Sequence, residues 1–304
     1  MKSSVSINDL TEVQLKLLPT EEDIVFYETF GWYVSPVILS DSLIANGVRG
    51  AHEFYEGKKD FNLVNNKGIA DEIHNPLSAI RNNEFVTLQK KELQEIGFNP
   101  LVTAIAAKLS RTDEIRLFAD SLVNKLPTKE TSKGVVGWHS DKAYWPTCSS
   151  NKMLTAWIPL QDCTENMGPL MHIDKSHKWK DEKELNSFYS FNNQDLGKFE
   201  DYLKVNKPEF KTSFMTLKKG QVSFHNCNTI HSSHPNISDM DRLALAVHFQ
   251  DSSNRYQKAY KNNGDIIEIG YDKICLKDNL GNPDYKDSKI FPLLFKEQEA
   301  WTKS

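Results

Sequence analysis

The sequence lacks several features that would place it in a specialised class of protein. Its four cysteines form no Cys-x-x-Cys pair, and the opening MKSSVSINDL has no apolar signal segment, so neither a zinc knuckle nor an exported disulfide framework is indicated. The longest apolar stretch, around LVTAIAAKL, is much shorter than the roughly 20 residues that a membrane-spanning helix needs. We therefore expect a cytoplasmic protein without a membrane segment.

A basic stripe is also missing. The 37 basic and 41 acidic residues are spread along the chain and give a net charge of −4. Because a nucleic-acid-binding surface needs clustered lysine and arginine to neutralise phosphates, we expect no nucleic-acid partner. Aromatic residues are plentiful by contrast, with 16 Phe and 10 Tyr among them. This composition is typical of a folded protein with material for a lined pocket, and we expect a small molecule as its ligand.

The order of the predicted elements indicates a helical layer followed by a β-rich core. Thr20 precedes an acidic first turn, Gly31 ends that helix, and Asn99 with Pro100 opens another helix. From residue 115 onward, short strand patterns alternate with Pro, Gly, Asn and Ser clusters, which predicts a barrel or a sandwich. A charged insertion at about 175–211 interrupts these strands, and its length makes it a candidate lid.

The stretch GWHSDKAYWP, residues 137–146, carries the clearest chemical signal. In an extended segment, residues two apart point to the same side, so His139 and Asp141 can aim at one point. One further histidine would complete a facial triad of two histidines and a carboxylate, the arrangement that holds iron(II) and leaves positions open. The candidates for that third position are His225, His231, His234 and His248.

Alternation in DRLALAVHF separates two faces of one predicted strand. Leu243, Leu245, Val247 and Phe249 would share the face that packs on the helices. The opposite face would carry Arg242 over small alanines, together with His248. A guanidinium projecting into a cavity is suited to binding a carboxylate through two parallel hydrogen bonds.

The order of His139-x-Asp141, His231 and Arg242 resembles the phytanoyl-CoA dioxygenase family of iron(II)- and 2-oxoglutarate-dependent oxygenases. The similarity extends from about residue 20 to 250. Further segments that recur in the family's order are FYETFGWYV, LVNKLP, AWIPLQD, MGPLMHIDKSHKW and GQVSFHNCNTIH.

This resemblance implies a double-stranded β-helix, or cupin-like jelly roll, with an N-terminal helical layer. We expect a single oxygenase domain over 1–304, made of a mainly helical layer at 1–110, a jelly-roll core at 115–251 and a C-terminal extension at 252–304. The iron ligands that it implies are His139, Asp141 and His231. The residues that it implies for 2-oxoglutarate are Arg242 at the distal carboxylate, Ser233 beside it, Trp157 and Thr155.

Part of the motif is similar to ectoine hydroxylases, in which the corresponding tryptophan lines the substrate pocket. WHSD, Trp145 and GPLM carry that similarity, and we expect Trp145 and its neighbour Tyr144 to bind substrate. The alternative is that both are core aromatics. The acidic EDG that would follow the tryptophan is replaced here by PTCSS, which argues against ectoine itself as the substrate.

The other histidines near the motif are given lesser roles. His225 precedes NCNTIH and fits a residue that orients another group. We expect His234 and His248 to be surface or packing residues. We expect His172 and His177 to form hydrogen bonds with the backbone.

The resemblance implies that iron(II), 2-oxoglutarate and O2 are used to hydroxylate an unactivated C–H bond, with release of succinate and CO2. Asp141 favours hydroxylation over halogenation, because halogenating relatives lack this carboxylate. Desaturation, ring closure and epimerisation stay open as outcomes. Two other classes are a catalytically silent jelly roll that binds a metal or ligand, and a zinc-dependent hydrolase on the same ligands. Arg242 argues against the hydrolase, where it has no role.

Overall fold

The computed structural model describes residues 4–65, 69, 79–130, 133–179 and 195–297. The α-helices of this part of the chain are α1 (Glu12–Leu15), α2 (Glu21–Phe30), α3 (Asp41–Tyr55), α4 (Lys91–Gly97), α5 (Pro100–Leu109), α6 (Leu196–Asn206) and α7 (Gly270–Ile274). The strands are β1 (Trp32–Val34), β2 (Ile80–Glu84), β3 (Glu114–Lys125), β4 (Val136–His139), β5 (Leu154–Pro159), β6 (Leu170–Ile173), β7 (Thr212–Phe214), β8 (Ser223–Asn226), β9 (His231–Ser233), β10 (Arg242–Asp251), β11 (Ala259–Tyr260), β12 (Ile266–Ile267) and β13 (Leu293–Lys296).

Two antiparallel sheets form the core. The larger sheet has the order β1-β8-β5-β10-β3-β13, with β2 also paired to β3. The smaller sheet has the order β4-β9-β6-β7. Strands that neighbour each other in these sheets are far apart in sequence, as expected when a chain winds back and forth between two sheets. The predicted double-stranded β-helix core with an N-terminal helical layer is confirmed.

Strand β10 of the larger sheet has one face on the hydrophobic core and the other on the space between the two sheets. It pairs on one side with β3 and on the other with β5. Leu245 and Val247 belong to the main hydrophobic core, which also contains Leu101 and Ile105 of α5. The alternate residues face the space between the sheets, because side chains along a strand point to opposite faces. The predicted division of this strand into a core face and a cavity face is confirmed.

The N-terminal helices begin and end at the predicted residues. Thr20 accepts a hydrogen bond from the Asp23 backbone N–H at 3.2 Å, and the Asp23 carboxylate accepts one from the Thr20 N–H at 2.9 Å. Gly31 ends α2 with φ of 86°, the left-handed conformation that glycine adopts without a steric penalty. This turn leads directly into β1, where Trp32 lies opposite His225 of β8.

The described part of the insertion packs on the outer face of the smaller sheet. Phe199 and Leu203 of α6 join a hydrophobic cluster with Trp138 of β4, whose ring centroid lies 6.0 Å from that of Phe199. Trp138 and His139 are consecutive in a strand, so α6 lies on the side away from His139. The described residues of this candidate lid that belong to α6 therefore pack on the side of the sheet away from His139, and 180–194 lie outside the described residues.

The C-terminal extension is tied to the larger sheet. Strand β13 pairs with β3, and Val5 near the N-terminus forms a bridge with Phe295 in β13. Within the described ranges, no helix is both long enough and apolar enough to cross a bilayer.

The packing of α6 predicts the effect of Phe199→Ala. Phe199 is fully buried, and removal of a buried phenyl ring costs about 3 to 5 kcal/mol, because contacts are lost and a cavity remains. We expect the free energy of unfolding, measured by denaturant titration, to fall by about that amount. Val205 on the same helix is 79% exposed, and Val205→Ala is the control that should change stability by less than about 0.5 kcal/mol. Equal effects of the two substitutions would contradict this packing.

Candidate metal centre

Strand pairing in the smaller sheet brings the two predicted histidine ligands together. His139 at the end of β4 lies opposite His231 at the start of β9, and their ring centroids are 4.1 Å apart. Asp141 opens the 3-10 turn that follows β4. One ligand atom from each of these three buried residues lies within 4.8 Å of the others. The three side chains that the sequence analysis selected therefore converge on one point.

Backbone carbonyls set the orientation of both imidazole rings. His139 Nδ1 donates to the Gly137 carbonyl at 2.7 Å, and His231 Nδ1 donates to the Thr229 carbonyl at 2.9 Å. A neutral imidazole has one N–H and one lone pair, so these bonds leave the lone pair on Nε2 in both residues. Each ring is therefore held in the tautomer that a metal ion requires.

The local environment favours neutral imidazoles beside an ionised carboxylate. Burial lowers the pKa of His139 to about 4, and burial together with neighbouring His139 lowers the pKa of His231 well below its usual value. Burial alone would raise the pKa of Asp141, but interactions with His231 and His225 outweigh it, and the pKa lies well below the usual range. Two neutral imidazoles and one carboxylate form a donor set that fits iron(II) and other divalent first-row metals.

The second carboxylate oxygen of Asp141 is held by the larger sheet. Its Oδ2 accepts hydrogen bonds from the Thr155 hydroxyl at 2.6 Å and from His225 Nε2 at 3.2 Å. The other oxygen, Oδ1, lies 3.7 Å from His231 Nε2 and faces the point where the three ligands converge. Thr155, predicted near the cosubstrate, is therefore placed directly on a candidate metal ligand. His225 holds the same carboxylate, which is an orienting position.

Two other histidines differ from their predicted roles. His248 Nδ1 bonds the Thr155 hydroxyl at 2.7 Å, so His248 belongs to the site and is not merely a surface or packing residue. His172 was predicted to bond the backbone, but within the described residues neither ring nitrogen has a partner. Its ring centroid lies 4.8 Å from that of His225. Both differences arise because the tertiary fold surrounds Asp141 with imidazoles from several strands.

Arg242 forms a basic end of the same cavity. It is 2% exposed, and within the part of the chain that the structure describes its Nε and Nη1 atoms have no hydrogen-bond partner. The guanidinium carbon lies 5.5 Å from the centre of the Trp157 ring, and burial lowers the pKa of Arg242 to about 10. A buried cation whose donors lack partners is costly, and an anionic ligand would remove that cost. This arrangement fits a carboxylate of the predicted cosubstrate.

Lys125 is a residue that the sequence analysis missed. It lies directly opposite Arg242 in the pairing of β3 with β10. Its Nζ donates to the Ser233 hydroxyl at 2.6 Å and to the His234 carbonyl at 2.6 Å. Burial, followed by the positive charge of Arg242, lowers the pKa of Lys125 well below its usual value. The lysine lies in LVNKLP, a segment that carried the family resemblance, and strand alternation from that segment would have found it.

A cavity of about 890 Å³ connects the candidate ligands with Arg242. Tyr144 and Trp145, predicted to bind substrate, both line it. The Trp145 ring centroid lies 4.9 Å from that of His248. The C-terminal extension also contributes to the wall through Ile269, Gly270 and Tyr271. No signal in the sequence identified these last residues, since they lie beyond the region of family resemblance.

The sequence profile of the phytanoyl-CoA dioxygenase (PhyH) family matches residues 51–244, more than half of the chain. The chain belongs to this family. The predicted family resemblance is thereby confirmed.

Similar proteins agree with this family assignment. A probable alpha-ketoglutarate-dependent hypophosphite dioxygenase of Stutzerimonas stutzeri is 28% identical over 133 residues, which span 41% of this chain and 42% of that relative. Among solved structures, the non-heme alpha ketoglutarate-dependent carbocyclase SnoK from nogalamycin biosynthesis has a TM-score of 0.65 at 20% identity, covering 96% of this chain and 99% of that chain. EctD from S. alaskensis with 2-oxoglutarate and 5-hydroxyectoine has a TM-score of 0.61 at 22% identity, covering 79% of each chain. These structures share the fold.

The bond from Thr155 to Asp141 predicts the effect of Thr155→Val. The substitution keeps the side-chain shape but removes the hydroxyl, so Asp141 loses a donor that orients it. We expect affinity for a divalent metal such as Co²⁺, measured by calorimetric titration, to fall about 10-fold or more. Thr155→Ser keeps the hydroxyl and should stay close to the wild-type value. Unchanged affinity in a folded Thr155→Val protein would contradict an orienting role.

Proposed function

We propose that this protein is an iron(II)- and 2-oxoglutarate-dependent oxygenase that hydroxylates an unactivated C–H bond of a small molecule. The observation that carries the proposal is the presence, around one cavity, of a buried triad of two histidines and an aspartate, and of a buried arginine whose Nε and Nη1 atoms have no hydrogen-bond partner among the described residues. The triad suits the metal, and the arginine suits the dicarboxylate. Either feature alone would be compatible with other classes of protein.

His139, Asp141 and His231 would hold the iron. As a facial triad, they would leave the remaining coordination positions of the ion to cosubstrate and oxygen. Thr155 and His225 would keep Asp141 directed at the metal from the larger sheet. With both Nδ1 atoms engaged by carbonyls, the histidines could not rotate without breaking a hydrogen bond.

Arg242 would pair with the distal carboxylate of 2-oxoglutarate, with Trp157 beside it as the apolar wall. Ser233 would assist, and Lys125 holds the Ser233 hydroxyl. Because Lys125 does not itself line the cavity, its effect on the ligand would pass through Ser233 and through the local potential. Tyr144 and Trp145 would contact the substrate.

When bound, iron and 2-oxoglutarate supply an oxidant for C–H bonds, as O2 is consumed and 2-oxoglutarate is converted to succinate and CO2. The residues of the chain bind and orient these groups and exclude bulk water, since the triad is buried. Asp141 occupies the position that halogenating relatives leave to a halide, which favours hydroxylation. A zinc hydrolase would give no role to Arg242.

The names of similar proteins support the cofactors. The Stutzerimonas stutzeri relative is named as alpha-ketoglutarate-dependent, and the epimerase SnoN was solved in complex with Fe3+ and alpha ketoglutarate. The other molecules named with these proteins differ widely, from hypophosphite to nogalamycin RO and 5-hydroxyectoine, so they support the class of reaction and do not select the substrate.

We propose that residues 1–304 act as one oxygenase domain. The pairing of β13 with β3 and the bridge between Val5 and Phe295 support this arrangement, because they join both ends of the described chain to the larger sheet. A cytoplasmic location stays a prediction.

The proposal predicts a visible charge-transfer band when iron(II) and 2-oxoglutarate are added to metal-free protein without oxygen. We expect Asp141→Ala to abolish the band, because the metal loses its anionic ligand. Arg242→Ala should keep metal binding and weaken 2-oxoglutarate binding at least about 30-fold, since truncating one partner of a buried charge pair costs about 2 kcal/mol or more. Titration of the band with 2-oxoglutarate measures this change.

Arg49→Ala is the matched control, since this arginine is 56% exposed on α3 and should leave the titration unchanged. A folded wild-type protein that binds iron(II) but develops no band would refute the oxygenase proposal. The silent jelly roll would then become the better description.

A further inference from the structure

His248 lies beside the candidate metal centre, but it holds neither the metal nor 2-oxoglutarate in the proposed chemistry. It lines the cavity, and its side chain is 13% exposed. Strand β10 lies between β3 and β5 in the larger sheet, so the exposed part of the ring faces the cavity. His248 is therefore a polar side chain of the wall to which neither the metal nor the cosubstrate gives a function.

The hydrogen bonds of Thr155 fix which nitrogen of His248 carries the proton. A hydroxyl has one proton, and the Thr155 hydroxyl donates it to the ionised carboxylate of Asp141 at 2.6 Å. In its second bond, at 2.7 Å, this hydroxyl must therefore accept, and His248 Nδ1 is the donor. Burial lowers the pKa of His248 and so favours the neutral ring. A neutral imidazole with its proton on Nδ1 presents a lone pair on Nε2.

The lone pair on Nε2 is left to a ligand. Within the described residues Nε2 makes no hydrogen bond, and it is accessible, in contrast to the two enclosed ring nitrogens of His172. The ring of Trp145 packs edge-on against that of His248, with centroids 4.9 Å apart and an angle of 74°. Because Trp145 and Thr155 both restrain the ring, its acceptor points in a fixed direction, as selective hydrogen bonding requires.

The position of His248 places this acceptor on the substrate side of the metal centre. Arg242, assigned to the cosubstrate, lies on the same face of β10 six positions earlier, which is about 20 Å of extended strand. His248 Nδ1 is 3.8 Å from Asp141 Oδ2, and the neighbouring Trp145 is proposed to contact the substrate. A substrate group bonded to Nε2 would therefore lie close to the carbon that reacts.

We propose that His248 Nε2 accepts a hydrogen bond from the substrate, and that it selects molecules with a hydroxyl or N–H group near the reacting carbon over molecules of similar shape that only accept. A ligand without a donor leaves the acceptor unpaired, which costs binding free energy. The inference rests on the proposed function, which places the reacting carbon at the triad. Thr155 is a positioning residue, because it fixes the tautomer of His248.

Two probes with the same ring skeleton test this proposal. 1-Indanol can donate a hydrogen bond, whereas 1-indanone can only accept one. Binding is measured by equilibrium dialysis without oxygen, in protein saturated with iron(II) and 2-oxoglutarate, so that the metal and the basic end of the cavity are occupied. We expect 1-indanol to bind at least about 5-fold more tightly than 1-indanone, as one hydrogen bond to a buried acceptor would give.

His248→Phe should remove this preference, because it keeps a ring beside Trp145 and deletes the acceptor. Thr155→Val should reduce the preference, since it lets His248 carry its proton on Nε2, where 1-indanone can accept it. Thr155→Ser keeps the hydroxyl and should retain the preference. His52→Phe is the matched control, because His52 is exposed on α3 and does not line the cavity. It should leave the preference unchanged.

Wild-type protein that binds both probes equally, binds neither, or prefers 1-indanone would overturn the inference, as would a preference that survives in His248→Phe. If His248→Phe does not fold, an undiminished preference in Thr155→Val would also overturn it. The charge-transfer band is recorded on the same samples. A band without a preference rejects only the role of His248, whereas a preference without a band rejects the oxygenase proposal.

Discussion

The buried carboxylate of Asp141 is the group on which the site depends. A carboxylate removed from water is costly unless hydrogen bonds and opposite charge compensate for it. Here Thr155 and His225 of the larger sheet donate hydrogen bonds to one oxygen, and the other oxygen lies 3.7 Å from His231 Nε2 of the smaller sheet, where a metal ion would add positive charge. Asp141 therefore joins the two layers of the jelly roll at the position where a metal would bind. The hydrophobic core behind the larger sheet supplies the rigidity that this geometry needs.

A second constraint is the pair of basic residues at the other end of the cavity. Arg242 and Lys125 are buried opposite each other on neighbouring strands. Such an arrangement reduces the stability of the protein without ligand, because burial disfavours the charged form of a basic side chain. Binding of an anion offsets that cost. The ligand-free protein is thus less stable than it would be without these buried groups, and the site is already formed to bind a dicarboxylate.

The cavity wall also includes residues from outside the segment that matches the family. Glu84 is supported by Tyr271, which comes from the C-terminal extension, outside the segment that matches the family. The segment that matches the family therefore carries the candidate metal and cosubstrate residues, and residues beyond it contribute to the cavity wall.

Local periodicity was sufficient to predict much of this protein. Three features depend only on neighbouring residues, so backbone geometry predicts them from the sequence. They are the spacing of His139 and Asp141, the alternation along β10, and the caps of α2 and α5. The roles of His248 and Lys125 could not be predicted in this way. Each depends on a partner that is distant in sequence, Thr155 or Ser233, and the packing of the strands decides which partner that is. The sequence by itself determined the types of candidate ligand and the two faces of the strands. The tertiary structure decided which charged groups share one cavity, because the burial of a side chain and its distance from another are fixed only when the two sheets pack against each other.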